Sequence, residues 1–424
     1  MLEQSQHLDR IDFPARSFRL DNGLTLIHQH LPATPVVVAD IWVKAGTSAE
    51  PDEWSGMAHF LEHMIFKGSD NVGVGEFDWI IENAGGMSNA ATSHDYAHFY
   101  LTTAFARLSN TLPFLADILL RATIPDVEFI RERDVVIEEI NSSYDDPDWI
   151  CFQSLCQNIY RHHPYKRSIL GEKEILLQHT PNQMRCFHRT HYQPENMTVV
   201  LVGGIEAEAA LDLVGEHFSE FSIRSECPPF TPEAEPPAIA IRRQEIQLPN
   251  IEQTRLLMGW IGPGVERMEE VVALDLLSVI LAGGRCSRLV RELREEQQLV
   301  LDICSDFSLQ RDSSLFTVAA WLSSSDIREV ESIIGERIFQ LQTKPISPGE
   351  LDRAKRLLIN NYIFSLETPS QLAGIYGFYH TISTAEQSVL YPQIIARLES
   401  WHLQQVASRY LSRDRYGVTV LKPV

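Results

Sequence analysis

Between Met57 and Met64 the chain reads Met-Ala-His-Phe-Leu-Glu-His-Met, which sets His59 and His63 four residues apart with Glu62 beside the second. On a helix, side chains four apart stand one turn apart on the same face. Two imidazoles so placed bind one zinc ion, and a carboxylate alongside that stays off the metal accepts a proton from a water the ion activates. The surrounding residues favour a helix: Trp54, Met57, Ala58, Leu61, Met64 and Ile65 recur at helical spacing, no proline interrupts them, and Gly68 follows as a stop. Short patterns also arise by chance, on the order of a few per cent from composition alone. Metal-assisted hydrolysis is nevertheless the chemistry these residue types imply.

Two histidines do not complete a catalytic zinc site, which needs a third protein ligand and one position open to water. A candidate lies in Arg131 to Ile140, where Glu132 and Glu139 are seven apart and share a helical face with Val135 and Val136 between them. Glu138 points elsewhere. Acidic residues on a helix are more often solvated than ligating, so spacing alone leaves Glu139 open as either. No Gly-x-Ser-x-Gly elbow and no phosphate-binding glycine loop of the Walker type occurs. Gly283-Gly284 reads as a helix stop, and Arg288, Arg291 and Arg294 recur at helical spacing as an exposed basic face.

The elements that must position these residues follow from periodicity. Phe18 to Gln29 reads as a hairpin about Asp21-Asn22-Gly23, and Val36 to Val43 as a buried strand. Met87 to Leu101 reads as one strand carrying His94 and His98 as satisfied or surface histidines. Thr103 to Ala122 and Pro125 to Tyr144 read as helices, Met197 to Gly203 as a strand and Ala207 to Phe218 as a helix. Residues 225–238 include Pro228, Pro229, Pro232, Pro236 and Pro237 and predict an extended connector. Domains are therefore expected at 1–224 and 239–424. The halves resemble one another: Val38 to Gly68 and Leu256 to Gly284 share the order strand, glycine loop, helix, glycine. Met87 to Leu101 then corresponds to Leu301 to Trp321, and the helix around Glu132 to that around Glu350. Only the first copy has His-x-x-Glu-His.

At 424 residues the chain exceeds one ordinary core. A formal charge of -21 argues against a nucleic-acid or anionic-membrane partner, and no apolar run is long enough to span a bilayer. Cys151, Cys156, Cys186, Cys227, Cys286 and Cys304 form no Cys-x-x-Cys pair and read as buried or indifferent thiols of a reducing compartment. Met1 to Arg10 lacks the layout of a secretory signal, so the expected location is the bacterial cytoplasm, although an already processed organellar form would look the same.

His59-Phe60-Leu61-Glu62-His63, the inverted zinc-peptidase motif, and Glu-Arg-x-x-Val-x-x-Glu from Glu132 to Glu139 together resemble the pitrilysin-type metallopeptidases, most of all their processing-peptidase branch. The likeness extends through Gly46, Gly86-x-x-x-Asn89-Ala90, His163-Pro164, Tyr192-x-Pro194-x-Asn196-Met197, Ser287-Arg288-Leu289 and Leu293-Arg294-Glu295. It implies an α+β fold of two similar domains, each a largely antiparallel sheet with helices packed on one side, the second non-catalytic. It implies one Zn2+ per chain on His59, His63 and Glu139, with Glu62 as general base and Glu132 as an auxiliary acid orienting a ligand. It also implies an extended peptide substrate laid along the strand of Asn89 and Ala90, and Arg294 contacting that substrate. His163 is expected to be structural.

One position departs from the family. Self-sufficient members carry a tyrosine seven residues after the arginine, where this chain has Leu301. The expectation is a zinc endopeptidase acting as the metal-bearing half of a heterodimer, its homologous partner lacking the metal motif; a homodimer is the plainer alternative. A non-catalytic scaffold subunit is the alternative of a different class, and a zinc hydrolase of small amides is a third reading.

Overall fold

The computed structural model describes residues 13–228 and 230–424. The reading of Met1 to Arg10 as free of a signal lies outside the described residues. The first half forms β1 (Arg16–Arg19), β2 (Thr25–His30), β3 (Val36–Val43), β4 (Met87–Thr92), β5 (Ala97–Ala104) and β6 (Met197–Gly203). They lie in the order β1-β2-β6-β3-β5-β4, with β2 and β6 parallel and the other neighbours antiparallel. The second half supplies β7 (Arg242–Leu248), β8 (Thr254–Pro263), β9 (Val300–Leu309), β10 (Ser313–Leu322) and β11 (Gly417–Pro423). Their order is β7-β11-β8-β10-β9, with only β7 and β11 parallel. Apart from β1, the two sheets repeat one strand order, so the duplication is present in the topology. The fold is α+β with two largely antiparallel sheets.

The helices that matter to the site are α1 (Met57–Ile65), α2 (Asp126–Ser143), α3 (Pro147–Ile159), α4 (Pro181–His191), α5 (Met268–Ala282), α6 (Pro348–Phe364) and α7 (Pro369–Ile382). α1 and α2 bury Met57, Phe60, Leu61, Met64, Phe129, Val136 and Ile140 against Leu26, Ile41, Phe99 and Leu201 of the first sheet. α5 and α6 cover the second sheet in the same way.

The opposite face of each sheet is closed by a helix from the other half. α7 sets Leu372, Ala373 and Tyr376 on Ile27, Val38, Trp42, Val200 and Val202. Gly377 is needed there, because a Cβ would lie 2.0 Å from Trp42 Nε1. α3 sets Cys151 and Leu155 on Leu257 and Leu421 of the second sheet, and a Cβ on Gly259 would lie 2.8 Å from Leu155 Cδ2. α3 and α7 each follow directly on the equivalent helices α2 and α6, so the two copies exchange corresponding elements.

Two readings from periodicity are corrected. Met87 to Leu101 is a hairpin, not one strand: β4 turns at Ser93, whose N–H donates to the Tyr96 carbonyl at 2.7 Å. The turn contains neither glycine nor proline, so only the weaker signals of Ser93 and Asp95 marked it. His94 sits in that turn, where its Nδ1 lies 2.7 Å from Thr47 Oγ1. Thr103 to Ala122 is likewise not one helix, because β5 runs to Ala104 and the helical part breaks at Thr111. His98 on β5 pairs with Asp40 at 3.0 Å, and His163 with Asp312 at 3.2 Å.

Candidate metal centre

α1 starts abruptly. Gly56 takes φ +86°, and a Cβ there would lie 2.8 Å from Gly171 Cα. The helix has no capping hydroxyl or amide of its own. Glu50 does that work from the preceding loop, its carboxylate accepting the N–H groups of Gly56 at 2.9 Å and Ala58 at 2.7 Å. A carboxyl group at a helix N-terminus satisfies orphan N–H donors. Burial pushes the Glu50 carboxyl up to about 8, against the pull of those two N–H bonds and of Arg167.

One turn into α1, His59 and His63 emerge on the same face, their rings 4.8 Å apart. Glu139, near the end of α2, reaches both: its Oε2 lies 3.7 Å from His59 Nε2 and 3.5 Å from His63 Nε2. One donor atom from each of the three residues falls within 4.8 Å of the others. Donors at ordinary zinc distances and tetrahedral angles stand about 3.3–3.6 Å apart. Two imidazoles and a carboxylate at these separations fit zinc.

The electrostatics favour a cation. Burial, with the adjacent His63, lowers His59 to about 4, so its ring is neutral at pH 7. Burial alone would lower His63 too, but the hydrogen bonds of Glu132 and Glu139 outweigh it and raise His63 to about 9. Such a shift reports a strongly negative local potential. Glu132 Oε1 lies 2.9 Å from His63 Nδ1, and its Oε2 is paired with Lys67 at 2.7 Å. Glu132 thereby fixes the ring so that Nε2 faces Glu139. His59 Nδ1 has no such partner among the described residues; its buried ring is held by packing.

Glu62 stands off the donor set. Thr92 Oγ1 donates to its Oε2 at 2.6 Å. Burial raises the Glu62 carboxyl, opposed by that bond and by His63 and His98. Thr92 ends β4, the outermost strand of its sheet, whose far edge pairs with no other described strand. Asn89 and Ala90 lie on that edge, and the Ala90 N–H is turned to the Asn89 side-chain oxygen at 2.9 Å rather than to β5.

His59, His63, Glu139, Glu62 and Glu132 thus converge. Arg294 has different company. It lies in a π-helical turn, Val290–Glu296, and its guanidinium bonds to Asp302 at 2.8 Å and Glu295 at 3.0 Å in the second half. Leu301, in the strand that follows, is exposed. Sequence reasoning missed Thr92, Lys67 and Glu50. Lys67, four residues beyond His63, was open to helical spacing; Glu50 and Thr92 reach α1 through loop and sheet geometry that no period encodes.

Residues 25–173 match the family described as Insulinase (Peptidase family M16), and residues 179–358 match the Peptidase M16 inactive domain. An uncharacterised zinc protease of Mycobacterium leprae is 30% identical over 420 residues, covering 95% of this chain and 91% of that protein. The zinc protease PqqE of Helicobacter pylori is 28% identical over 411 residues, covering 96% of this chain and 92% of that protein. A crystal structure of a protease from Helicobacter pylori superposes with a TM-score of 0.90 at 28% identity, over 96% of this chain and 99% of that one. The inactive-domain match lies mostly over the second half, the half without His-x-x-Glu-His. The chain belongs to peptidase family M16, the pitrilysin type, and two of the relatives above are named zinc proteases.

Proposed function

We propose that this chain is a zinc endopeptidase in which His59, His63 and Glu139 hold the metal and Glu62 is the general base. The observation that carries this reading is the convergence of the three donors beside a carboxylate that stays off them and is tied to a free strand edge. Zinc held by that donor set would supply Lewis acidity, polarising the scissile carbonyl and lowering the pKa of the attacking water toward ~7. Glu62 takes the proton from that water and returns it to the leaving amine. Its burial suits a carboxylate that must hold a proton for part of each turnover. Glu132 keeps the His63 ring in its tautomer, and Thr92 keeps one oxygen of Glu62 in place.

The substrate is read as an extended peptide that adds a strand to β4, with Asn89 and Ala90 along its path. Backbone groups on the outer edge bind such a chain regardless of sequence, and pockets for alternate side chains select it. The run from Ala90 to Thr92 leads this peptide to Glu62. A metal site of this completeness argues against the non-catalytic scaffold reading, since a scaffold needs none of it.

The subunit arrangement is read from the second half. Leu301 has no hydroxyl to offer a carbonyl or oxyanion, and Arg294 is engaged by Glu295 and Asp302. These observations favour a heterodimer whose partner supplies an arginine–tyrosine pair to the substrate. A digest of an unstructured peptide library by the purified chain, with and without its co-purifying partner, tests the peptidase reading. Cleavage lost in Glu62→Gln supports it; cleavage of small amides alone, with no peptide cut under either condition, overturns it.

A further inference from the structure

The six cysteines do not share one environment. Cys151 and Cys156 are buried in two separate apolar clusters, Cys286 is exposed, and Cys304 lies on β9. Cys186 on α4 and Cys227 in the proline-rich connector are different. Their sulfurs lie 3.4 Å apart, although the residues are 41 positions apart in sequence. Both side chains are only half-buried, so a small reagent reaches them.

The contact is part of a docked segment. Thr190, one turn beyond Cys186 on α4, accepts the Cys227 N–H at 3.2 Å, and its Oγ1 lies 2.7 Å from the Ser225 carbonyl. Gln193 donates its side-chain amide to the Ser222 carbonyl at 3.1 Å. The start of the connector is therefore laid along α4 with Cys227 over Cys186, chiefly by bonds to its backbone, with Thr190 Oγ1 also 3.2 Å from Cys227 Sγ. Further along, Glu235 accepts the N–H groups of Arg161 and His162, each at 2.8 Å, so the connector is pinned to the first half again before it enters β7. Closing the two sulfurs to a bond of about 2.05 Å needs side-chain rotation and a slight approach of a segment outside regular structure.

We propose that Cys186 and Cys227 are a redox-responsive pair that a small-molecule disulfide oxidises to an intrachain disulfide. In the first step one cysteine thiolate attacks the reagent disulfide, forming a mixed disulfide and releasing one reagent thiol. In the second, the other cysteine attacks the mixed disulfide, the Cys186–Cys227 bond forms, and a second reagent thiol leaves. Two protein thiols are oxidised and one reagent disulfide is reduced to two thiols. Burial and the neighbouring Cys186 push the Cys227 thiol up to about 12, opposed by the hydrogen bond from Thr190. The bond would fix the start of the connector to α4, whose Met184 and Phe187 are rooted in the first core. It would leave the linkage between the two halves with less freedom than the reduced chain has.

The test uses the full chain equilibrated with oxidised glutathione, then alkylated, denatured and mapped without reduction. Two of the six free thiols should disappear, one linked peptide pair carrying Cys186 and Cys227 should appear, and dithiothreitol should reverse both. Cys227→Ser and, independently, Cys186→Ser should abolish the linked peptides. Retention of all six thiols under conditions that oxidise a control dithiol would overturn the proposal. So would linkage through any other pair, or a stable glutathione adduct at Cys186 with Cys227 still free. The map of the unmutated chain decides the matter even if a serine variant fails to fold.

Discussion

Thr92 Oγ1 lies 2.6 Å from Glu62 Oε2, so the last residue of the free edge strand is hydrogen-bonded to the carboxylate beside the metal donors. The surface on which a peptide strand would lie and the group that would move its proton are thereby one hydrogen bond apart. In the proposed reaction, register along β4 fixes which peptide bond meets Glu62.

The donor assignment predicts metal content. Glu139→Gln and His63→Ala should lose zinc, whereas Glu62→Gln should retain it and lose about two to four decades of turnover, the usual contribution of a general base. Metal analysis of the purified variants checks this, and loss of zinc from Glu62→Gln would be incompatible with the roles given.

The edge assignment predicts a backbone effect. Ala90→Pro deletes an outward N–H without touching the pairing of β4 with β5. Since one hydrogen bond is worth about 0.5–1.5 kcal/mol, kcat/KM for unstructured peptides should fall roughly two- to tenfold with an unchanged circular dichroism spectrum. Folded proteins should resist cleavage until denatured. An unaffected kcat/KM, or efficient cutting within compact domains, would point to another binding surface.

The second half predicts dependence on a partner. The isolated chain should turn over peptides near background, because losing one oxyanion donor typically costs about 2.7–4 kcal/mol. Adding the partner, or introducing Leu301→Tyr, should restore rate. Robust turnover by the chain alone that Arg294→Ala leaves unchanged would exclude the heterodimer.

Buried histidines predict acid sensitivity. Burial holds His94 and His188 down to about 4, from 6.5 in the unfolded chain. Between these values the unfolded state binds more protons, so this stability is present above pH 6.5 and lost as pH falls toward 4. Each group is worth a few kcal/mol by order of magnitude. Unfolding midpoints measured from pH 7 to pH 4 should decline, and His188→Gln should reduce the slope by about one proton. An unchanged slope would mean that His188 is already solvated.

Glu50 predicts a stability effect at the metal helix. Glu50→Ala leaves the Gly56 and Ala58 N–H groups buried without their acceptor, a cost of about 1–3 kcal/mol each. Thermal unfolding should shift down and zinc affinity should fall, although Glu50 touches no donor. A variant as stable as the parent would show that water replaces the carboxylate.

What could be read in the residues was what periodicity and motif spacing encode. His59, Glu62 and His63 fell on one helical face, Asn22-Gly23 marked a turn, and the repeat of strand, loop and helix announced a second copy of the fold. The break at Ser93 to Tyr96 was hidden because the turn contains neither glycine nor proline, and Ser93 and Asp95 alone are weaker turn signals. The pairing of Cys186 with Cys227, the cap from Glu50 and the bond from Thr92 depend on how separate elements meet, and so had no local trace. The exchange of α3 and α7 was hidden for the same reason: each helix has an apolar face, but nothing in its own residues says which sheet it covers.

That exchange has a consequence for synthesis. β6 completes the first sheet when the chain reaches Gly203, but α7, which covers the outer face at Ile27, Val38 and Trp42, begins only at Pro369. At roughly 5–20 residues per second, a ribosome would leave that face bare on the order of ten to thirty seconds. A nascent chain in this interval displays an apolar β-surface with no partner yet made, which is the kind of surface that holding chaperones retain.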